Sequence, residues 1–156
     1  EYKDGVQQVI LNGENVTSLL RTEETGKMAS KTSKYAAVRT KLVALQRGLA
    51  KKTDVIMDGR DIGTTVLPDA FAKIYLTASS DARAKRRYDE LKEKGENRSF
   101  DAIKEDIEKR DYEDMHRAIS PLKQADDAVL VDTSDMNIEQ VVAALSKIID
   151  EKKAGR

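Results

Sequence analysis

Three short apolar runs follow Lys52, at positions 55–57, 73–76 and 128–131, and none of them alternates with polar residues. Unalternating runs of this length are typical of strands in a parallel sheet that is covered on both faces. Segments with helical spacing separate or follow these runs. The order of strands and helices predicts an α/β layered fold, with a parallel sheet flanked by helices.

Start and stop residues predict three helices in this part of the chain. The predicted N-caps are Ser79, Ser99 and Asn137. The first helix is expected to stop at Gly95, and the second to run to a break at Pro121. The third has Gln140 at the position of a capping-box partner. Its apolar stripe comprises Ile138, Val141, Val142, Leu145, Ile148 and Ile149.

The first fifty residues follow a different pattern. Asn12-Gly13 joins two short β-capable stretches within 6–16, because both residues of this dipeptide tolerate the positive φ of a type I′ hairpin. Residues 1–5 are predicted to be a polar connection. Apolar residues in 35–49 recur at helical spacing. A hairpin followed by helix predicts a smaller α+β lobe ahead of the layered domain.

The charge balance and the missing residue types exclude several classes of function. The 156 residues hold 28 Lys and Arg against 28 Asp and Glu. They lack the basic excess of a nucleic-acid-binding domain, so no nucleic-acid partner is predicted. Cysteine is absent and histidine occurs once, which favours a reducing cytoplasm and leaves no thiolate metal site. No apolar run approaches the ~18 residues of a membrane span, and no signal peptide is recognised.

The clearest candidate chemistry lies in the helix after Ser99. Its apolar stripe consists of Phe100, Ile103 and Ile107. The same face continues into Arg110, Asp114 and Arg117, at i, i+4 and i+7. A charged helix face is usually only solvated, but this one continues a stripe that should point toward the protein body. Two arginines beside an aspartate could bind a phosphate and a sugar hydroxyl together.

A second candidate is the segment DGRDIGT at 58–64, directly after the first apolar run. Ligands of open α/β sheets bind beyond the carboxyl ends of strands, and the glycines allow close approach to the backbone. Arg60 offers a planar fork to a phosphate, whereas Asp61 can accept a hydrogen bond from an exocyclic amine. An ordinary loop with a surface ion pair is the alternative.

A third candidate is the cationic group Arg83, Arg86 and Arg87 at i, i+3 and i+4. Acidic residues follow on the same helix, so a solvated helix with i,i+4 pairs is the competing interpretation. The phosphate-loop motif GxxxxGK[ST] occurs nowhere in the chain. Gly26-Lys27 imitates its end but fails, because Arg21 stands in place of the leading glycine.

Taken together, these motifs resemble those of bacterial-type cytidylate (CMP) kinases in order and spacing. The matching stretches are LNGENVT (11–17), LRT (20–22), MDGRDIGT (57–64), KRDY (109–112) and SPL (120–122). The resemblance implies a phosphate-loop NTPase-type α/β fold with a smaller lobe that binds the nucleoside monophosphate. Residues 1–50 would form part of the CMP-binding lobe. Residues 51–156 would form the core domain, with a mobile lid at about 83–115.

The resemblance also implies transfer of the γ-phosphoryl group of ATP to CMP or dCMP, with Mg²⁺ as the accompanying metal ion. Arg60, Arg86, Arg110 and Arg117 are the expected catalytic residues. The expected CMP contacts are Ser30, Arg39 and Asp61 at the cytosine, Arg60 and Arg117 at the phosphate, and Arg110 with Asp114 at the sugar. Arg83, Arg86 and Arg87 would close over the phosphates of ATP. No residue of this chain is assigned to the metal, and a cytoplasmic monomer is expected.

One departure from the family pattern matters for activity. The family begins with a strand, a glycine-rich phosphate loop and a helix, which the 156 residues do not contain. The loop would supply backbone N–H groups, a lysine and a metal-binding hydroxyl. The chain alone is therefore expected to be inactive and poorly stable. A related kinase for UMP or AMP and a non-catalytic nucleotide-binding module are the alternative functions.

Overall fold

The computed structural model of the chain describes residues 2–20 and 22–155. Arg21, which belongs to the LRT motif and to the imitation of a phosphate loop, lies outside the described residues, as does Glu1. Two units are distinguished, Glu1–Leu45 and Gln46–Arg156. Their boundary precedes the predicted division at residue 50, and the binding roles given to the two parts stay predictions.

The first unit opens with two antiparallel hairpins. Strands β1 (Tyr2–Lys3) and β2 (Val6–Gln7) pair with each other, as do β3 (Ile10–Leu11) and β4 (Glu14–Asn15). Asn12 and Gly13 have φ values of 51° and 88°, which confirms the predicted turn. The prediction that residues 1–5 form a polar connection was wrong for residues 2–5, because they belong to the first hairpin. Asp4-Gly5 takes positive φ in the same way and therefore closes a hairpin of its own.

Two helices complete the first unit and lead into the second. Helix α1 spans Glu23–Thr32, and the side chain of Thr22 caps it by accepting from the Thr25 backbone. Helix α2 spans Ala36–Ala50, as the apolar spacing predicted, although its regularly spaced apolar residues are exposed. A single 3₁₀ turn at Thr17–Leu19 precedes them.

In the second unit, strands β5 (Ile74–Thr77) and β6 (Val129–Asp132) pair in parallel, with Ile74 opposite Val129 and Thr77 opposite Asp132. Three helices follow the strands: α3 (Ser80–Glu93), α4 (Phe100–His116) and α5 (Ile138–Ala154). A parallel pair with helices after each strand confirms the α/β class. None of the helices in the described part of the chain is long and apolar enough to cross a membrane.

The prediction of a strand at 55–57 was wrong. These residues have no regular secondary structure, and Ile56 is fully exposed. A strand exists only through backbone pairing with a neighbour, and no described strand pairs with this segment. The apolar pattern therefore shows that these residue types suit a strand, but it does not show that a neighbouring strand is there to pair with them.

The predicted helix caps are confirmed, whereas one helix end is not. Ser79, Ser99 and Asn137 each accept a hydrogen bond from the first turn of their helices, and Asn137 forms a full capping box with Gln140. Helix α4 ends at His116 and not at Pro121, because Arg117 already has extended backbone angles. Proline disfavours helix at the residue before it, and here the chain turns still earlier.

The buried apolar cluster of the second unit lies between α3 and α4. Ala84, Leu91 and Ile103 are its buried members, and Tyr88, Phe100 and Ile107 pack against them. The cluster contains all three residues of the apolar stripe predicted after Ser99. A connection of six residues between the helices, with Gly95 at φ 76°, makes α3 and α4 a helical hairpin with a core of its own.

Candidate functional site

The segment that carries Arg60 and Asp61 is a compact turn. A π-helical turn, Ile62–Val66, follows Asp61 directly, and the Asp61 carbonyl accepts from the Thr65 backbone at 2.8 Å. π-helical turns are rare and are frequent at functional sites. A Cβ on Gly59 would lie 2.9 Å from Ile62 Cγ1, so this position has no room for a side chain.

Arg47 anchors this turn from the end of α2. Its Nε donates to the Val66 carbonyl at 2.9 Å and its Nη2 to the Thr65 carbonyl at 2.7 Å. Sequence reasoning missed Arg47, because an arginine near a helix C-terminus ordinarily interacts with carbonyls of its own helix.

The second part of the site is the end of α4. Asp114 is only 8% exposed, and its carbonyl accepts from the Leu122 backbone at 2.8 Å. Arg117 lies just past the helix, where its Nε donates to the Ser120 carbonyl at 2.6 Å. Ser120 has φ 49°, so a tight turn aims that carbonyl at the arginine.

Charged side chains from the two segments meet around Asp114. We call Arg60, Asp61, Arg110, Asp114 and Arg117 the Asp114 cluster. Arg60 Nε lies 2.8 Å from Asp114 Oδ2, and Arg110 Nε lies 4.0 Å from the same oxygen. Arg117 Nη1 lies 3.8 Å from Asp114 Oδ1, and its Nη2 lies 3.8 Å from Asp61 Oδ1.

The hydrogen-bonding capacity of the cluster is not fully used. Arg117 Nη2 is buried and has no hydrogen-bond partner among the described residues, since 3.8 Å exceeds a hydrogen bond. Three guanidinium groups face two carboxylates. Because an unsatisfied buried donor is costly, the cluster is suited to accept an anion.

The predicted set of site residues is brought together in part. Arg60, Asp61, Asp114 and Arg117 converge as the sequence suggested, although Arg117 achieves this from beyond the helix. Arg110 lies at the edge, and its side chain is 60% exposed. The inward direction predicted for this helix face therefore holds best at Asp114.

Ser30 and Arg39 belong to the first unit, on α1 and α2 respectively. Ser30 is half-buried, and its carbonyl accepts from the hydroxyl of Ser33 at 2.9 Å. Arg39 is half-buried as well. Asp61 belongs to the second unit, so a shared contact of these three residues with a base stays a prediction.

The three arginines predicted for the lid already have acceptors. Arg83 pairs with Asp111 on α4. Arg86 donates to the carbonyls of Thr133 and Met136 in the turn that precedes α5.

Arg87 makes an exposed pair with Glu90 at 2.8 Å, one turn along α3. Lys94 lies 2.6 Å from the other oxygen of the same carboxylate. Hydrogen bonds from Lys94 and Arg87 lower the pKa of Glu90 to about 2.

A metal site is not formed by the described residues. Among them, no group of three His, Cys, Asp or Glu side chains is placed to hold a metal ion. The donor set around Asp114 is dominated by arginines, which repel a cation. These residues therefore do not fit Mg²⁺.

Comparison with known proteins identifies the family. The family model described as cytidylate kinase matches residues 1–151. The chain is 52% identical to a cytidylate kinase of Lactobacillus johnsonii over 153 residues, which cover 98% of this chain and 66% of that protein. It is 47% identical over 142 residues to one of Thermosipho melanesiensis, covering 91% and 65%.

A cytidylate kinase of Bacillus licheniformis is 45% identical over 149 residues, which cover 96% of this chain and 66% of that protein. The chain thus spans about two thirds of the length of the curated relatives it matches. The match extends through both units and includes the Asp114 cluster. On this evidence the chain belongs to the cytidylate kinase family, whose phosphate-loop α/β fold class agrees with the strands and helices described above.

Proposed function

We propose that this protein transfers the γ-phosphoryl group of ATP to CMP or dCMP, giving CDP or dCDP. Membership of the family supports the reaction. The observation that carries the proposal is the buried Nη2 of Arg117, which lacks an acceptor within an arginine-rich cluster. A phosphate oxygen supplies both the missing acceptor and the missing negative charge.

The phosphate of CMP is proposed to bind Arg60 and Arg117. Their guanidinium groups approach the same carboxylate from two segments of the chain, so an anion between them is held from two directions. Planar guanidinium forks bind phosphate with good geometry. Arg110 is more exposed and can reach the sugar, with Asp114 as the acceptor for a sugar hydroxyl.

The cytosine contacts are proposed from the family resemblance. A carboxylate such as Asp61 accepts from the exocyclic amine of cytosine, which uracil lacks. Ser30 and Arg39 would serve the remaining polar edge of the base. These assignments make a definite prediction, since replacing any of the three should impair recognition of cytosine more than that of other bases.

In the proposed reaction an oxygen of the CMP phosphate attacks the γ-phosphorus of ATP. A new P–O bond forms while the bond to the bridging oxygen of ADP breaks, and ADP leaves. Catalysis of such transfers rests on positioning and on neutralisation of charge. The arginines of the Asp114 cluster supply both on the acceptor side, so no side-chain nucleophile is required.

Fewer residues of this chain are assigned to ATP, the phosphoryl donor, than to CMP. Arg86 and Arg87 are proposed to contact the phosphates of ATP, and in doing so they would exchange their present acceptors. The contacts of Arg83 with Asp111 support a different role, in holding α3 against α4. Inactivity of the 156 residues alone, a monomeric state and a reducing compartment stay predictions.

The test is ADP release by the product of the complete gene, with ATP and Mg²⁺ and with CMP, dCMP, UMP and AMP offered in parallel. We expect strong preference for the two cytidylates. Equal turnover of all four would retain the kinase and refute the cytosine contacts. A folded protein that releases no ADP with any of them would contradict the reaction and favour the non-catalytic module.

A further inference from the structure

The guanidinium of Arg83, on α3, is held by Asp111 of α4 and by the backbone just before α3. Its Nη1 and Nη2 donate to the two carboxylate oxygens of Asp111 at 2.9 and 2.6 Å, and its Nε donates to the Ala78 carbonyl at 3.0 Å. Each nitrogen thus has an acceptor. A bidentate pair of this kind fixes direction as well as distance.

This pair joins α3 to the part of α4 that carries the site. Asp111 directly follows Arg110 and precedes Asp114 by three residues, and side chains at i and i+3 are neighbours on a helix. Two further contacts hold the first turn of α3 along α4. Ser80 donates to Glu108 at 2.8 Å, and Lys104 donates to Asp81 at 2.9 Å.

The pair also matches the charge of a carboxylate that lies one helical turn from Asp114. The side chain of Asp111 is only 22% exposed, so without Arg83 its charge would be poorly solvated. A poorly solvated carboxylate attracts any nearby cation. Asp111 and Asp114 are at i and i+3, so an unmatched charge at Asp111 would compete for the arginines that pair with Asp114. An arginine drawn to Asp111 is lost to a substrate phosphate or sugar.

We propose that Arg83 is a positioning residue for the acceptor site. By neutralising Asp111 and holding the last turns of α4 in register with α3, it leaves the arginines around Asp114 available for CMP. The inference rests on the proposed function. It differs from the ATP contact that the sequence predicted for Arg83, because it assigns the residue to the acceptor and not to the donor.

The test uses the product of the complete gene with Arg83→Met, Asp111→Leu and the double variant. We expect Arg83→Met to raise the KM for CMP about tenfold and to change the KM for ATP less than about twofold, a size typical of coupled neighbours. The double variant should recover most of the CMP affinity, because the stranded carboxylate is gone. Arg83→Lys should lie between wild type and Arg83→Met.

Lys85→Met provides the matched control. Lys85 is a cation on the same helix, paired with Asp89 at 3.0 Å on an exposed surface, and it lies outside the proposed site. This variant should leave both KM values unchanged. If Arg83→Met fails to fold, Arg83→Lys takes its place, because it keeps the positive charge but loses the bidentate geometry, and it should raise the KM for CMP without changing the KM for ATP.

Calorimetric titration with CMP separates this inference from the proposed function. If the wild-type protein releases no ADP but binds CMP, the proposed reaction fails. A weaker Kd for CMP in Arg83→Met would then still support positioning. An increase in the KM for ATP that Asp111→Leu does not relieve would overturn the inference, because it would assign Arg83 to the donor phosphates.

Discussion

Helix α4 carries two arginine–aspartate groups three residues apart, and they differ in how completely their charges are matched. At Asp111, one guanidinium meets one carboxylate in a bidentate pair at 2.6 and 2.9 Å. At Asp114, three guanidinium groups share one carboxylate over distances from 2.8 to 4.0 Å. The first group is saturated, and the second has spare donors.

This difference separates structure from binding on a single helix. A matched, bidentate pair gains nothing from a ligand and serves to hold two helices together. An unmatched group with a buried donor is stabilised when an anion arrives, because the anion supplies the missing acceptor. Counting acceptors against donors therefore distinguishes the roles of arginines that look alike in sequence.

The largest effect on activity is expected at Arg117, whose buried Nη2 lacks an acceptor in the part of the chain that the structure describes. Arg117→Met removes the buried guanidinium and should lower kcat/KM for CMP by about 10²–10³, or about 3–4 kcal/mol, the usual loss for one donor that stabilises developing charge. Steady-state kinetics with CMP as the varied substrate measures this. Lys147→Met is the control, since Lys147 is an exposed cation that pairs with Glu151 on α5.

If Arg117→Met lost no more activity than Lys147→Met, the spare donor would have no role in binding the acceptor. The comparison with Asp111 would then fail as a guide to function. A loss confined to the KM for ATP would have the same consequence, because the Asp114 cluster is assigned to CMP.

A smaller effect is expected on stability when the shared carboxylate is neutralised. Asp114→Asn removes the carboxylate charge that Arg60, Arg110 and Arg117 share, and loss of a buried partner of this kind costs about 1–3 kcal/mol. Urea unfolding of the wild type and the variant measures the cost. Inorganic phosphate should raise the unfolding midpoint of the variant more than that of the wild type, since the anion replaces the lost charge.

Equal stabilisation of both proteins by phosphate would contradict this account. It would indicate that the anion binds elsewhere and that Asp114 does not control the charge of the site. Glu151→Gln is a suitable control, because Glu151 pairs at 3.8 Å with Lys147 on α5 and both side chains are exposed.

The sequence predicts this molecule best where the partners are local. The caps at Ser79, Ser99 and Asn137 depend on residues within one turn, and all three were predicted. The apolar stripe of α4 packs against α3, which is separated from it by only a short connection. The run at 55–57 depends on a distant strand, and composition alone cannot say whether such a strand pairs with it.

The sequence predicted which residues form the site, but it could not predict their hydrogen-bond and ion-pair partners. Residue types and spacing identified Arg60, Asp61, Asp114 and Arg117. They could not show that Arg83 is engaged by Asp111, because an i,i+4 pattern on one helix contains no information about the neighbouring helix. The role of Arg47 was invisible for the same reason, since its acceptors lie 18 and 19 residues away.

The smallest effect is expected at Glu90, where two cations share a carboxylate as at Asp114, but in water. The pKa of Glu90 is lowered from 4.5 to about 2 by Lys94 and Arg87, so its pairing stabilises the fold above about pH 4.5 and is lost as the pH falls toward 2. Because this side chain is 48% exposed, Glu90→Gln should cost only about 0.5 kcal/mol at pH 7. Urea unfolding should show that cost shrinking at pH 3 and in 1 M salt. If Glu90→Gln lowered the free energy of unfolding by much more, or equally at every pH, then sharing one carboxylate between two cations would matter for stability even in water. Burial would then not explain the difference between Asp111 and Asp114 on α4.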